Sequence, residues 1–363
     1  MPQIPPTLDY QTMRPAHPRP RRPLASARGS GLTAENLLRV LVYASAACVV
    51  LMLAALLWIL AHASVPTIKE FGTKFLTTRE WRPNEREVPK RGPDGKVMME
   101  DGEIVTETIP PEFGALPVIY GTAISASIAL LFAVPFSIGA ALFLVRLAPR
   151  QLVQPVSFLV EFLAAIPSIA YGLWGLFVLA PFLRQYIEPG LNRIFTVVPG
   201  LGFLHTDGAL TGRDMFCGGL ILAIMILPII TAVSRDVLRA VPRAQIEGTL
   251  ALGATWWQSA WEMLRYSRSG LFGAVMLGMA RAAGETMAIT MVIGNNNQIK
   301  SSLFAPAQTM SSLLANEFAE ATGEMHRSAL LEVALILLAM SLAFNIVARC
   351  LVVGRGARTA AAH

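Results

Sequence analysis

The sequence predicts an all-α polytopic membrane protein with six transmembrane helices. Of its 363 residues, 54% are hydrophobic and 15% are charged, whereas a soluble protein carries about 25% charged residues. The mean hydropathy is +0.52. Six apolar runs are long enough to cross a hydrocarbon layer of about 30 Å. Arginines gather beside these runs, which is the arrangement that fixes the orientation of membrane proteins.

The positive charge does not indicate a nucleic-acid partner. The net charge is +6 and the isoelectric point is near 9.5, but most basic residues lie in short loops and tails next to apolar runs. That placement is typical of cytoplasmic loops. The three cysteines, Cys48, Cys217 and Cys350, fall within apolar runs and lack metal-ligand spacing. We interpret them as packing residues.

The N-terminal part of the chain predicts a tail followed by a membrane anchor. Residues 1–36 are rich in proline and arginine and have few apolar side chains, so we expect a disordered cytoplasmic tail. Leu37–Leu60 is the first predicted span. Ala61-His62-Ala63 resembles a signal-peptidase site, yet the apolar run and the basic region before it are both longer than in a signal peptide. We therefore expect an uncleaved anchor.

Residues 61–114 predict a loop on the outer face with a small β-hairpin. Val97–Glu100 and Glu103–Thr106 flank Asp101-Gly102, and Asp-Gly suits a two-residue hairpin turn. The remaining predicted domains are a permease domain with five helices at 115–352 and a cytoplasmic tail at 353–363. The five spans are predicted at Val118–Leu147, Phe158–Phe182, Met215–Val233, Leu271–Ile293 and Ala329–Val352, with an outer loop at 183–213. Six crossings place both termini in the cytoplasm.

A charged stretch of about 35 residues separates the fourth and fifth spans. Charged and apolar side chains alternate in it at a spacing that predicts short amphipathic helices, with Pro242 at a helix start and Gly253 at a helix stop. One interpretation is a segment that lies on the membrane surface. The other, a loop that docks on a partner, is favoured by Glu247, Gly248 and Thr249 followed by Gly253, which resemble the cytoplasmic "EAA…G" loop of ABC importer permeases.

The fifth span carries an arginine and a glutamate inside an apolar run. Arg281 lies about 15 Å along the predicted helix, near the middle of the hydrocarbon layer, and Glu285 follows one turn later. Charged side chains at that depth face partners or water. The pair is either a structural ion pair or part of an anion pathway, in which Glu285 holds the Arg281 guanidinium until substrate arrives. A stripe of small residues on the same span, Gly270, Ala274, Gly278 and Ala282, predicts close packing against another helix.

No sequence pattern indicates an enzyme. The sequence contains no phosphate-binding G-x-x-x-x-G-K-[ST], no H-E-x-x-H and no cluster of histidines. We expect no cofactor, no metal site and no catalytic residue. Any ATP would be hydrolysed by a partner.

From Phe113 onward the chain resembles the PstC-type permease subunits of bacterial phosphate ABC importers, members of the binding-protein-dependent transport inner-membrane component family. The matching stretches are ALPVIYGTAISASIALLFAVPFSIGAA at 115–141, FLAAIPSIAYGLWGLFVL at 162–179, ILAIMILPIITAVSRDVLRAVP at 221–242, RAAGETMAITMVIGN at 281–295 and LFAPAQTMSSLLANEFAEA at 303–321. The docking motif departs from the family at Gly248, Thr249 and Arg265, and the segment 90–110 looks like an insertion.

The resemblance implies a type I (MetI-like) permease that moves inorganic phosphate into the cytoplasm by alternating access. It also implies four kinds of partner: a second, homologous permease subunit (PstA-like), an ABC ATPase dimer (PstB-like), a periplasmic phosphate-binding protein (PstS-like) and inner-membrane lipid. By resemblance, Arg281 and Glu285 belong to the substrate pathway, and Glu247 and Gly253 to the ATPase-docking loop at 236–270. A permease for another oxyanion, such as sulfate or molybdate, is an alternative within the class. A secondary transporter or channel is an alternative outside it.

Overall fold

A computed structural model describes residues 31–89, 99–100, 103–104 and 106–360 of the chain. The described helices are α1 Gly31–Ala63, α2 Val65–Phe71, α3 Lys74–Thr77, α4 Leu116–Leu142, α5 Arg150–Ala165, α6 Ser168–Trp174, α7 Ala180–Phe182, α8 Glu188–Val197, α9 Met215–Arg239, α10 Arg243–Ala251, α11 Trp256–Tyr266, α12 Arg268–Ala283, α13 Met287–Val292, α14 Met310–Glu317 and α15 Glu324–Ala360. The chain divides into two units, Met1–Leu56 and Leu57–His363, so α1 runs from the first unit into the second.

Four of the described helices are long and apolar enough to cross a membrane, and a fifth span arises if one sharply bent helix pair is counted. The four are Glu35–Ala63, Leu116–Leu147, Met215–Arg239 and Glu324–Ile346. The helical, multi-span class predicted from the sequence is therefore confirmed. The count of six continuous helices is not reproduced, because two of the predicted spans are broken.

The third predicted span, Phe158–Phe182, is wrong as a single helix. The chain bends by 90° between α5 and the helical stretch Ser168–Val197. Ile166 is extended, with φ −64° and ψ 130°, because a residue that precedes a proline is driven out of the helical region, and Pro167 follows it. The predicted loop 183–213 is also wrong in its first half, because the chain is helical to Val197. Two π-helical turns, Gly175–Leu179 and Leu183–Ile187, interrupt the helical stretch Ser168–Val197.

The fifth predicted span, Leu271–Ile293, is likewise wrong as one helix, since α12 ends at Ala283 and α13 begins at Met287. Two other boundaries shift. The part of the predicted tail at 31–36 is helical, whereas residues 1–30 lie outside the described residues. The last helix continues through the predicted tail to Ala360, and 361–363 are outside the described residues.

The predicted hairpin is confirmed where the structure describes it. Met99 pairs with Ile104 and Glu100 with Glu103 in antiparallel register. Val97, Met98, the Asp101-Gly102 turn and Val105 lie outside the described residues. Two further antiparallel pairs precede α4: β1 Trp81–Arg82 with β6 Glu112–Phe113, and β2 Arg86–Pro89 with β5 Thr106–Ile109. The hairpin strands are β3 Met99–Glu100 and β4 Glu103–Ile104.

Helix α9 is the centre of the Leu57–His363 unit. It packs against α4, α5, α12 and α13, and four of its apolar side chains, Ile221, Leu222, Ile226 and Ile230, are fully buried. Asp214 caps its start by accepting a hydrogen bond from the Cys217 amide at 2.9 Å. With 25 residues, α9 is about 37 Å long, so Asp214 and Arg239 mark opposite ends of the bundle.

Candidate functional site

The break between α12 and α13 contains the predicted intramembrane residues. Helix α12 ends at Ala283, and the amide of the next residue, Gly284, still bonds to the Ala280 carbonyl at 3.3 Å. The small-residue stripe of α12 faces α9: a Cβ built on Gly270 would lie 2.6 Å from Val237 Cγ1, and one on Gly278 would lie 2.6 Å from Ile230 Cδ1. Glycine therefore lets the two helices approach closely at these two positions, as the stripe predicts.

Glu285 supports the break rather than the arginine. Its side chain is buried, and its Oε1 accepts a hydrogen bond from the Ala288 amide at 3.3 Å, which caps α13. The Ser311 hydroxyl donates to the Glu285 carbonyl oxygen at 2.6 Å. Broken helices within a membrane depend on such partners, because a backbone polar group without one is costly in hydrocarbon.

Arg281 lies one turn before the break and is exposed. The ion pairs of the described residues do not include one between Arg281 and Glu285. The expectation that Glu285 neighbours Arg281 on one continuous helix is therefore wrong, because the helix ends between them. Arg281 lies on a surface that the described part of the chain does not cover, while Glu285 is buried.

A cavity of about 410 Å³ adjoins the break. Gly284, Thr286 and Ser311 supply its polar side, and apolar residues of α14 and α15 supply the rest. Thr290 and Thr286 satisfy nearby carbonyls, since the Thr290 hydroxyl donates to the Thr286 carbonyl at 2.6 Å and the Thr286 hydroxyl to the Gly284 carbonyl at 3.4 Å. The break is thus a hydrogen-bonded, polar interruption within an apolar bundle.

The charged loop forms two short helices at the other end of α9. Pro242 precedes α10, and the Thr255 side chain and Gln258 form a capping box at the start of α11. Gly253 lies between them with φ +85°, a conformation that glycine adopts without strain. Its amide and that of Ala254 close α10 by bonds to Leu250 and Thr249 carbonyls at 2.9 and 3.1 Å. The helix start and stop predicted from Pro242 and Gly253 are confirmed.

The helix pair is fastened to the ends of the long helices. Leu238 and Val241 pack with Ala260 and Met263 in one buried cluster, which also contains Ala141, Leu142 and Leu271. The Thr249 hydroxyl donates to Ser259 at 3.2 Å, and Arg146, in the π-helical turn Phe143–Leu147 that follows α4, donates to the same Ser259 oxygen at 3.5 Å. A displacement of α10 and α11 would therefore be transmitted to α4, α9 and α12.

The outer side of the pair is apolar and open. Leu252 is 90% exposed, Trp257 62% and Trp261 59%. These residues line a groove of about 680 Å³ together with Thr249, Ala254, Gln258 and Glu262. Glu247 is exposed on α10. Large exposed aromatic side chains around a groove are typical of an interaction surface.

Sequence reasoning missed an ion pair that ties the bent segment to α9. Arg235 is 7% exposed and donates to Glu161 of α5 at 3.2 Å and to Asp236 at 3.1 Å. Glu161 lies in an amphipathic stretch that was assigned to a membrane span. The 3.6-residue spacing of polar side chains in α5 was the signal that could have separated it from the span.

A family model and relatives of similar sequence point to one family. Residues 133–354 match the model of the family described as "Binding-protein-dependent transport system inner membrane component". The chain is 42% identical to the "Phosphate transport system permease protein PstC" of Mesorhizobium japonicum over 88% of this chain and 90% of that protein. It is 41% identical to the protein of the same name from Haemophilus influenzae, over 88% and 93%. A solved structure of the MetNI methionine ABC transporter, in an inward-facing conformation, aligns with a TM-score of 0.48 at 15% identity, over 66% of this chain and 95% of that chain.

Proposed function

We propose that this chain is a membrane subunit of an ABC importer for inorganic phosphate. It belongs to the binding-protein-dependent transport inner-membrane component family and, within it, to the PstC phosphate permeases. The observation that carries this proposal is the 42% identity to a phosphate transport permease over 88% of the chain. The chain is a multi-pass inner-membrane component, and its relatives are transport permeases.

ATP would be hydrolysed by a separate ATPase dimer that docks on α10 and α11. The open groove beside Trp257 and Trp261 offers apolar area for contact, and Glu247 offers an exposed charge on α10. The buried cluster of Leu238, Val241 and Met263 gives the mechanical link. Nucleotide-driven closure of the ATPase would draw the helix pair inward, and the ends of α4, α9 and α12 would follow, which opens the bundle at its opposite end.

Arg281 would line the phosphate pathway. Its guanidinium is exposed within this chain, so a second, homologous permease subunit would cover it and enclose the path between the two. A guanidinium matches the oxygen geometry of phosphate with two parallel hydrogen bonds. Glu285 would serve the path indirectly, because it caps α13 and keeps the break open beside the polar cavity. A periplasmic phosphate-binding protein would deliver the anion.

Both termini and the α10–α11 pair would lie in the cytoplasm. The arginines at 235–268 and 349–358 favour that orientation. A cysteine at Gln245 should resist an impermeant thiol reagent added to sealed cells, whereas one at Glu100 should react. Labelling of position 245 from outside would overturn the orientation.

Substrate choice is tested by uptake. Cells that lack other phosphate transporters should take up labelled phosphate when this chain is produced with its partner subunits, and excess sulfate or molybdate should not compete. Competition by sulfate or molybdate at concentrations similar to phosphate would favour the alternative oxyanion permease. Uptake that persists without the ATPase subunit would instead indicate a secondary transporter or channel.

A further inference from the structure

A cavity lined by two arginines lies at the end of the bundle where α9 begins, far from the α10–α11 pair. It has a volume of about 420 Å³. Arg184, Arg213, Gln185 and Thr211 line it, together with the apolar residues Leu176 and Pro181. We call it the arginine cavity. None of its residues belongs to the site around Arg281.

The backbone brings the two arginines together from distant parts of the chain. Arg184 lies in the π-helical turn Leu183–Ile187, a type of turn that occurs frequently at functional sites. Gly212 has φ +71° and lies against that helix: an added Cβ would overlap the Ala180 carbonyl oxygen and lie 3.1 Å from Arg184 Cβ. The Thr211 hydroxyl accepts from the Arg213 amide at 3.3 Å and donates to its carbonyl at 3.2 Å. The turn that carries Arg213 is thus fixed beside Arg184.

The charge in this region is positive. Both arginine side chains are exposed, and neither takes part in an ion pair among the described residues. Two acids lie in this region: Glu188, whose charge interacts with that of Arg184, and Asp214. These two buried carboxyls lie side by side, and burial together with the Glu188 charge raises the pKa of Asp214 to about 8. The carboxyls are buried, whereas the two arginines are exposed at the cavity.

We propose that the arginine cavity binds a phosphate oxyanion, either free inorganic phosphate or the phosphodiester of an anionic lipid headgroup. Arginine pairs suit phosphate because each guanidinium presents two parallel donors to its oxygens, and Gln185 and Thr211 add neutral donors. The cavity has room for an oxyanion and several waters. The binding itself is independent of the proposed transport. A role as an entry point for substrate rests on the proposed function, which places this end outside.

The test uses the purified membrane complex without the soluble binding protein, in nanodiscs of phosphatidylcholine. The variant is R184Q/R213Q, and the matched control is R193Q, which removes an exposed arginine on α8 that does not line the cavity. Titration with inorganic phosphate, against chloride at equal ionic strength, gives the concentration for half-maximal thermal stabilisation. In a second arm, native mass spectrometry counts the phosphatidylglycerol that stays bound after reconstitution in nanodiscs containing that lipid.

If free phosphate is the ligand, the half-maximal concentration rises about fivefold in R184Q/R213Q, which corresponds to ~1 kcal/mol of binding free energy. If a headgroup is the ligand, the phosphate titration is unchanged and bound phosphatidylglycerol falls relative to R193Q. R184K/R213K, which keeps both charges, should retain part of either effect. The proposal is overturned if R184Q/R213Q and R193Q behave alike in both arms. A wild-type complex that binds phosphate here but imports none would refute the proposed function and leave the cavity assignment standing.

Discussion

Gly253 makes a sharp test of the α10–α11 pair because two glycines in this region differ in one property. Gly253 has φ +85°, whereas Gly248 lies in the helical stretch α10. A Cβ added at either position would meet no heavy atom within 4 Å. The changes Gly253→Ala and Gly248→Ala therefore add the same atoms without a clash, and only the backbone conformation distinguishes them.

The expected magnitudes have opposite signs. An L-residue in the left-handed region costs about 1–2 kcal/mol, which lowers the population of the native turn by a factor of about 5–30. Alanine in place of a helical glycine gains up to about 1 kcal/mol. Gly253→Val should cost more than Gly253→Ala, because a branched side chain tolerates positive φ least.

The measurement is amide hydrogen exchange over residues 243–266 in the purified complex, together with the amount of ATPase that co-purifies. Gly253→Ala should exchange faster in this segment and retain less ATPase, whereas Gly248→Ala should exchange more slowly in α10. Charge reversal by Glu247→Arg should reduce ATPase retention without changing the exchange rates. Unchanged exchange and full ATPase retention in both Gly253 variants would refute the role assigned to this turn.

Three further predictions concern the membrane helices. Arg281→Ala should assemble normally and lose phosphate uptake, whereas Arg281→Lys should keep part of the uptake. Glu285→Gln should keep most of the uptake, because its amide oxygen can still accept the hydrogen bond from the Ala288 amide. Full uptake by an assembled Arg281→Ala/Glu285→Ala protein would contradict the pathway role. Because the pKa of Asp214 is raised from 3.8 to about 8, its contribution to stability is fully present below pH 3.8 and is lost as the pH rises through about 8. The melting temperature of the wild type should therefore fall from pH 4 to 8 relative to that of Asp214→Asn. Parallel profiles of the two proteins would refute this prediction. Gly278→Val should destabilise the complex by ~1–3 kcal/mol, because the added side chain would overlap Ile230. Gly273→Val on the same helix should not, because a Cβ there would meet no atom within 4 Å. Equal melting temperatures of the two variants would rule out the close approach of α12 to α9.

The sequence carried most of the architecture and part of the site. The length of the apolar runs correctly predicted the helices that contain Leu37, Val118, Met215 and Ala329, because a backbone buried in hydrocarbon must form long helices. Periodicity and the Gly253 signal located α10 and α11 as well. What the apolar pattern could not reveal was continuity, since a helix that breaks at Gly284 has the same composition as one that does not.

Pairing between distant residues was also beyond the sequence. Glu285 and Arg281 have the spacing of helical neighbours, yet the glutamate caps α13 and the arginine stays exposed. Arg235 forms an ion pair with Glu161, and Arg184 and Arg213 line the same cavity, although no local sequence pattern connects these segments. The bend at Pro167 does have a local cause, and an apolar run on both sides concealed it.

The central claim is that this chain forms a path for phosphate that a separate ATPase drives. The most direct test reconstitutes the chain with its second permease subunit and the ATPase in liposomes. The phosphate-binding protein is added on the side of the membrane opposite the ATPase. Labelled phosphate should cross only with ATP and the binding protein present, and not when the chain carries Arg281→Ala. Phosphate movement at the wild-type rate without ATP, or through the Arg281→Ala complex, would contradict the account.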